Sequence, residues 1–410
     1  MVMVKPFKAL RPNKDYVEKV AALPYDTMNT EEAKKIAKEN KYTYLRIDRA
    51  EINFDNDIDI YSEKVYQKAK EVLDDFIERN ILIEDKKPSL YVYREVMGDR
   101  SQIGIVGCVS VLDGINGKIK THENTKPDKV EDRTKHIDYC QAHTGTILLT
   151  YDNNSVIDIV IAKTLNNESI YDFISEDGIR HTIWKLDEKE EEMVVNSFER
   201  VENLYIADGH HRSAAAQNYA IEKKDKNLNY SEEEEFNFYP AMIAAKNTLH
   251  VMDYNRVVKD LNGLDIDEFL NKIEENFILE KVSDEFKPEQ KFEYGMYIDE
   301  QWYKLVFNKR FKLKDDSVEN LDVSVLHDYL IEPILGISEP QKDKRIDFIG
   351  GIRGTDEIEK RVNEDMKVGF SLYPTSIDEL LRVADEDRIM PAKSTWFEPK
   401  VRCGLFLHRI

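Results

Sequence analysis

One stretch restricts the fold of this chain more than any other: Asn203–Leu204–Tyr205–Ile206–Ala207–Asp208–Gly209–His210–His211–Arg212–Ser213–Ala214–Ala215–Ala216. A short apolar run, one glycine and an alanine-rich continuation predict a strand, an abrupt turn and a helix. Gly209 can hold a left-handed backbone without a Cβ penalty. The amides of His210 to Ser213 then fall in the first helical turn, where they have no intrahelical partners and favour an anion. Arg212 could add a bidentate contact to phosphate oxygens. The alanines let the helix approach another layer closely. A plainer reading stays open, with Asp208 capping the helix and the two histidines packed at a domain seam. A metal reading also stays open, with Asp208, His210 and His211 joined by His122 or Glu123. Its spacing matches no strong zinc pattern, and the carboxylates suit magnesium better.

Around this segment strands and helices mix without a clean βαβ period, which predicts an α+β or mixed α/β fold. Toward the N-terminus, Pro24–Tyr25–Asp26 reads as a rigid turn presenting a ring and a carboxylate. Asn29 or Thr30 caps a helix to about Glu39. Tyr42 to Ile47 alternates like a strand, Asp48 to Asp59 reads as a polar loop, and Tyr61 to Glu78 as an amphipathic helix. Leu90 to Val96 and Ser101 to Leu112 predict a hairpin. Thr146 to Tyr151, Ser155 to Ala162, Ile170 to Ile174, His181 to Leu186 and Tyr239 to Ala245 read as strands. Asp187 to Glu192 reads as a solvated charge run, and Lys223 to Glu235 as a loop. Leu321 to Ile331 is a helix that Pro333 should stop. These shifts place domains at 1–88, 89–254 and 255–410.

A second chemical stretch is His122–Glu123–Asn124–Thr125, followed by a helix over Asp128 to Gln141. Arg133 and His136 share one face of that helix. Glu123 is the first choice for a general base and Arg133 a counter-charge for phosphate. A solvated loop with a surface helix is the alternative. Lys393, after Pro391, and Lys400, after Pro399, could meet a phosphate. Gly350–Gly351–Ile352–Arg353–Gly354–Thr355 lacks the lysine of a phosphate loop and the dinucleotide spacing, so it reads first as a turn. Asp322, His327 and Asp328 make no site at their spacing.

Charge and cysteine usage narrow the function classes. The 59 basic residues against 80 acidic ones give a formal net charge of −21. That argues against broad DNA binding, which draws its affinity from neutralised phosphates. Cys108, Cys140 and Cys403 are too few and too widely spaced for a disulfide framework. They fit a reducing, cytoplasmic setting. No apolar run approaches the roughly 20 residues of a membrane span, and the first ten residues hold no signal-like region. The expected partner is a small-molecule substrate, with no membrane; an assembly of identical copies is compatible with the sequence.

These residues together resemble the domain-of-unknown-function family 1015 over essentially the whole chain. The resemblance rests on Pro24–Tyr25–Asp26, His122–Glu123 with Thr125 and Arg133, Ala207 to Arg212, Leu321–Asp322–Val323 through Leu335–Gly336–Ile337, Met390 to Thr395, Pro399–Lys400 and Gly404–Leu405. Asn255, in Tyr254–Asn255–Arg256, stands where the family has a histidine, so that position takes no catalytic assignment. The Asp208–Gly209–His210–His211–Arg212 block looks like the phosphate loop of the ParB/sulfiredoxin superfamily, and most like ParB-like free-serine kinases. The resemblance implies a ParB/sulfiredoxin-like strand–turn–helix core with N- and C-terminal elaborations, and serine or phosphoserine metabolism. It implies phosphoryl transfer between a nucleotide (ATP or ADP, with Mg²⁺) and a small hydroxyl compound such as serine. Phosphoserine hydrolysis and ligand binding without turnover are the alternatives. Sulfiredoxin chemistry is disfavoured, because that loop needs a cysteine and His210 stands here. On this reading Glu123, Asp208, His210, His211 and Arg212 do the chemistry. Gly209, His210, His211, Arg212, Ser213, Arg133 and Lys393 hold the nucleotide, and Tyr25, Asp26, His122 and Thr125 bind substrate.

Overall fold

A computed structural model describes residues 1–55, 58–227, 229–308, 310 and 315–410. The chain divides into two compact units. The first holds Met1–Thr121, Thr125–Leu249 and Pro399–Ile410; the second holds His122–Asn124 and His250–Glu398. Residues 1–88 and most of 89–254 therefore build one unit. Both units are mixed α/β. No helix among the described residues is long and apolar enough to cross a membrane.

The first unit is organised by a mixed sheet that has nine strands among the described residues. Its order is Ile119–Lys120, Leu204–Asp208, Ile147–Tyr151, Phe238–Ala245, Arg100–Ser110, Tyr91–Met97, Arg180–Lys185 and Tyr171–Ile174, with Val4–Lys5 paired to Arg100–Ser110. The Leu204–Asp208 and Phe238–Ala245 strands each have one parallel neighbour, and the other pairings are antiparallel. Ile157, Val160, Val194 and Phe198 pack with Leu149, Tyr151 and Ile206 in one core. A second core gathers Tyr44, Leu45, Ala69, Leu73 and Phe76 with Cys140, Cys403 and Leu407. A four-stranded sheet of Leu82–Glu84, Ala9–Pro12, Leu407–Arg409 and Ala142–His143 ties the C-terminus into this unit. It thereby carries Lys400 and Cys403 to the turn at Gly209.

Several expectations are met and others corrected. Thr30–Glu39 is a helix with an Asn29–Glu32 capping box. Pro127–Cys140 is a helix, and Leu204–Asp208 leads through Gly209 into the His210–Lys226 helix. Tyr42 to Ile47 is not a strand. Leu45–Asp48 is helical and Ala50–Asn53 is a 3₁₀ turn, because Leu45, Ile47, Asp48 and Ala50 are all buried and two-residue alternation cannot bury them together. The polar loop is thus shorter than predicted, and its residues 56 and 57 lie outside the described set. Ser155 to Ala162 is also helical. The Asn154 side chain accepts the Val156 and Ile157 amides, and Ile157, Val160 and Thr164 turn inward at helical spacing. Tertiary burial there overrides the β-branched composition. The charge run at Asp187 is a capping box that opens the Glu188–Phe198 helix, with Glu190 buried. The loop expected from Lys223 begins only after Lys226; its Leu228 lies outside the described residues.

The second unit has a six-stranded antiparallel sheet among its described residues. The order is Phe277–Val282, Gln301–Phe307, Glu293–Ile298, Val368–Leu372, Tyr254–Val258 and Ile346–Gly350. Ile358 of the Asp356–Glu364 helix packs on Val257, Tyr297, Trp302 and Ile349. Pro333 does not stop its helix. Asp322–Leu326 widens into a π-helical turn at His327–Ile331, and Glu332–Leu335 continues as α-helix. After the π turn Pro333 sits in the first turn of a new segment, where a missing N–H costs little.

Candidate functional site

The Leu204–Asp208 strand shifts register between Ile206 and Asp208, as at a β-bulge, and so re-aims its last residue. Gly209 follows with φ +98°, and a Cβ there would lie 3.3 Å from the Ile147 side chain. Asp208 does not cap the helix. Gly209 holds the cap position and, lacking a side chain, makes no cap hydrogen bond. Asp208 instead accepts from Lys400 Nζ at 2.9 Å. Burial would raise the Asp208 pKa, but Lys400 outweighs it and holds the carboxyl below its usual range. His210 is buried, and burial brings its pKa down to about 4, so its ring is neutral at pH 7. His211 Nε2 accepts the Lys126 amide at 3.1 Å, which places its proton on Nδ1. The start of the Pro127–Cys140 helix is thereby fastened beside the turn. Ser213 offers no donor to an anion. Its amide bonds the Gly209 carbonyl, and its hydroxyl is buried 3.3 Å from the Tyr239 hydroxyl.

Arg212 and Arg133 converge on one carboxylate that sequence reading assigned to a loop. Arg212 Nη2 lies 2.6 Å from Asp48 Oδ2, and Arg133 Nη1 lies 3.2 Å from Asp48 Oδ1. Arg133 also pairs with Asp132 at 2.8 Å, and Tyr66 donates to Asp132 at 2.9 Å. Burial opposes the Asp48 charge, but Arg212 and Arg133 hold its pKa below the ordinary range. Arg212 is held above its ordinary value despite burial, chiefly by Asp48. The Tyr25 ring is flanked by both cations, with guanidinium carbons 4.4 Å (Arg133) and 5.1 Å (Arg212) from its centroid. Gly145 makes room for this arrangement: a Cβ would stand 2.4 Å from the Arg212 guanidinium. Cys403 Sγ lies 3.6 Å from Arg212, but burial keeps its thiol protonated. His136 donates Nε2–H to the Ile47 carbonyl at 2.9 Å, and burial lowers its pKa to about 4.

Tyr25 lines a cleft of about 310 Å³ in the first unit. Asp26, Asp132, Arg133, Lys129 and Tyr61 line it too, so charges of both signs face one space. Asp48, Asp132 and Glu51 are committed to arginines. Asp26 lines the same cleft and makes no ion pair among the described residues.

The structure therefore gathers Tyr25, Asp26, Arg133 and Arg212, and sets Lys126 and Asp208 to Arg212 around the Gly209 turn. Thr125 belongs to this unit and is half-buried. His122, Glu123 and Lys393 belong to the second unit. There the His122 carbonyl accepts the Met390 amide at 2.8 Å, and its ring lies 3.5 Å from the Thr395 hydroxyl. Lys393 is exposed with φ +60°. The metal grouping of Asp208, His210 and His211 is not formed in the first unit, where Asp208 is on Lys400 and His211 on an amide. Among the described residues the group that could hold an ion is His327, Asp328 and Glu332, whose ligating atoms lie within 4.8 Å of one another. Sequence reading missed Asp48, Asp132 and Gly145. A buried carboxylate between two distant arginines leaves no periodic mark. The available signal was the pair of arginines, which needs a counter-charge somewhere.

The family model described as "Protein of unknown function (DUF1015)" matches residues 4–324. The motifs at 335–337 and 390–405 lie beyond that range. No curated protein matches the sequence. Among solved structures, a free serine kinase in complex with AMP is similar at 12% identity and TM-score 0.35, covering 71% of this chain and 86% of its own. SbnI with a C-terminal truncation, from Staphylococcus aureus, is similar at 13% identity and TM-score 0.37, covering 72% and 84%. A conserved hypothetical protein from Pyrococcus furiosus is similar at 12% identity and TM-score 0.35, covering 72% and 91%.

Proposed function

The chain belongs to the DUF1015 family, and we propose that its first unit is a phosphoryl-transfer site for a nucleotide and a small zwitterionic hydroxyl compound such as free serine. One observation carries the reading. Gly209 opens the His210–Lys226 helix, and Arg212 in its first turn covers Tyr25 with its guanidinium, so the glycine turn is joined to a mixed-charge cleft. The first-turn amides after Gly209 would hold phosphate oxygens. Arg212 and Arg133 are balanced by Asp48 and Asp132, so they act by fixing Tyr25 and the cleft wall. A cleft lined by both Asp26 and Lys129 suits an ammonium and a carboxylate on one small molecule.

In this reaction the substrate hydroxyl oxygen attacks the terminal phosphorus, and the bond to the nucleotide oxygen breaks. The hydroxyl proton passes to Asp26. Mg²⁺ fits as an ion carried by the phosphates and water, a common arrangement for it, since the other cleft carboxylates are engaged. It would spread the charge of the transferring group. Glu123 lies in the second unit, and this reading uses first-unit residues alone.

The test is phosphorus NMR of the protein with Mg²⁺ and L-serine plus ATP or ADP, and separately with phosphoserine. New phosphoserine with nucleotide consumed is expected. Asp26→Asn, at an exposed position, should lower turnover by about 10²–10⁴-fold, the usual span for a lost proton acceptor, while leaving the fold intact. Phosphate released from phosphoserine alone would replace transfer with hydrolysis. Unchanged spectra in every mixture would overturn this substrate assignment.

A further inference from the structure

Among the described residues three arginines are buried: Arg133, Arg256 and Arg402. Arg133 rests on Asp48 and Asp132, and Arg402 pairs with Asp177. Arg256, on the Tyr254–Val258 strand of the second unit, is 3% exposed and has no carboxylate partner among the described residues. Its hydrogen bonds go to two backbone carbonyls, those of Tyr254 and Lys393, the latter at 3.0 Å. Its guanidinium carbon lies 5.6 Å from the centre of the Phe348 ring. Burial lowers its pKa to about 10, with only Tyr254 and Tyr294 acting against that, so it stays charged at neutral pH. A buried cation without a counter-charge is costly, and a neutral side chain could serve the same two carbonyls.

The neighbouring segment adds a second cation. The Ser394 hydroxyl bonds the Pro391 carbonyl at 2.6 Å, and the Thr375 hydroxyl bonds the Ser394 carbonyl at 3.0 Å. These bonds pin the turn with Lys393 in the left-handed region, an uncommon backbone for a long side chain. Lys393 Nζ stands 5.5 Å from the centre of the Tyr254 ring, the residue whose carbonyl Arg256 also holds. Two cations are thus drawn to one tyrosine.

We propose that Arg256 anchors an anion-binding site in the second unit, with Lys393 at its rim, that takes the phosphate or carboxylate group of a small ligand. The ligand supplies the counter-charge that Arg256 lacks among the described residues. This site is independent of the phosphoryl-transfer reading of the first unit.

The indole N–H of Trp396 is the local reporter, since its ring centre lies 5.2 Å from that of Tyr254. The full-length protein is titrated with inorganic phosphate and, in a second arm, with acetate, and the three tryptophan indole signals are followed by ¹⁵N NMR. A saturable shift of Trp396 is expected, and the arm that produces it names the group. Arg256→Met should abolish that shift. Lys393→Ala, at an exposed position that leaves folding intact, should weaken the apparent affinity about tenfold, the loss of one charged contact. A Trp396 signal that stays still in both arms, or one that moves equally in Arg256→Met and Lys393→Ala, overturns the proposal. Movement confined to Trp184, in the first unit, overturns it too.

Discussion

Asp48 holds two arginines at once, and its removal would leave both without their shared charge. Asp48→Asn keeps the volume but strips the carboxylate from Arg212 and weakens the Arg133 network. Breaking a buried pair of this kind costs about 3–5 kcal/mol. Urea unfolding should therefore show a large fall in midpoint. A fall no greater than for a surface change would mean that water replaces the carboxylate. Arg212→Lys tests a different property of the same cluster. A lysine keeps the charge but loses the planar fork that reaches Asp48, Cys403 and the Tyr25 face together. The fold should survive with modest loss while nucleotide affinity falls, read by calorimetry with ATP. In this cluster charge governs stability, and the shape of the guanidinium governs ligand affinity.

At the scale of elements, the turn at 208–210 and the helix at Ser155–Thr164 make opposite points. Gly209 is demanded by its backbone, and Gly209→Ala should lose about 1–3 kcal/mol from left-handed strain, with the Ile147 contact added. A neutral result in denaturant unfolding would show that the turn relaxes. The Ser155–Thr164 helix has a composition that favours strands, yet Asn154 caps it and its buried face fits the sheet. Asn154→Ala should cost about 0.5–2 kcal/mol, checked in the same experiment. Sequence reading located the first element because glycine, small residues and polarity all agree there. It failed at the second, and at Tyr42 to Ile47, because short apolar runs fit either period until neighbours decide which side chains are covered.

For the whole molecule, His136, His143, His181 and His210 of the first unit are neutral at pH 7 because burial lowers their pKa values. Burial sets His136 and His210 to about 4, and His143 and His181 to about 3. An unfolded chain takes up these protons near pH 6.5. The native state refuses them until its own lower pKa values are reached, so stability is full above about 6.5 and declines as pH falls toward 4 and 3. Asp48, held low by its arginines, adds a loss in the same direction below about pH 3.9. Thermal midpoints read by tryptophan fluorescence should thus fall steadily from pH 7 to 4.5. His143→Gln should flatten part of that slope, and a flat wild-type profile would contradict the burial of these rings. The sequence by itself determined the mixed α/β class, the glycine turn with its helix, the capped Thr30–Glu39 helix and the hairpin at 91–110, because local chemistry is complete in each. It also marked Tyr25, Asp26, Arg133 and Arg212. Only the tertiary structure decided that Arg133 and Arg212 share Asp48, that Tyr25, Asp26 and Arg133 line one cleft, that Lys400 holds Asp208, and that His122, Glu123 and Lys393 belong to another unit. Those outcomes depend on contacts between residues up to 192 positions apart, and no local pattern records such contacts.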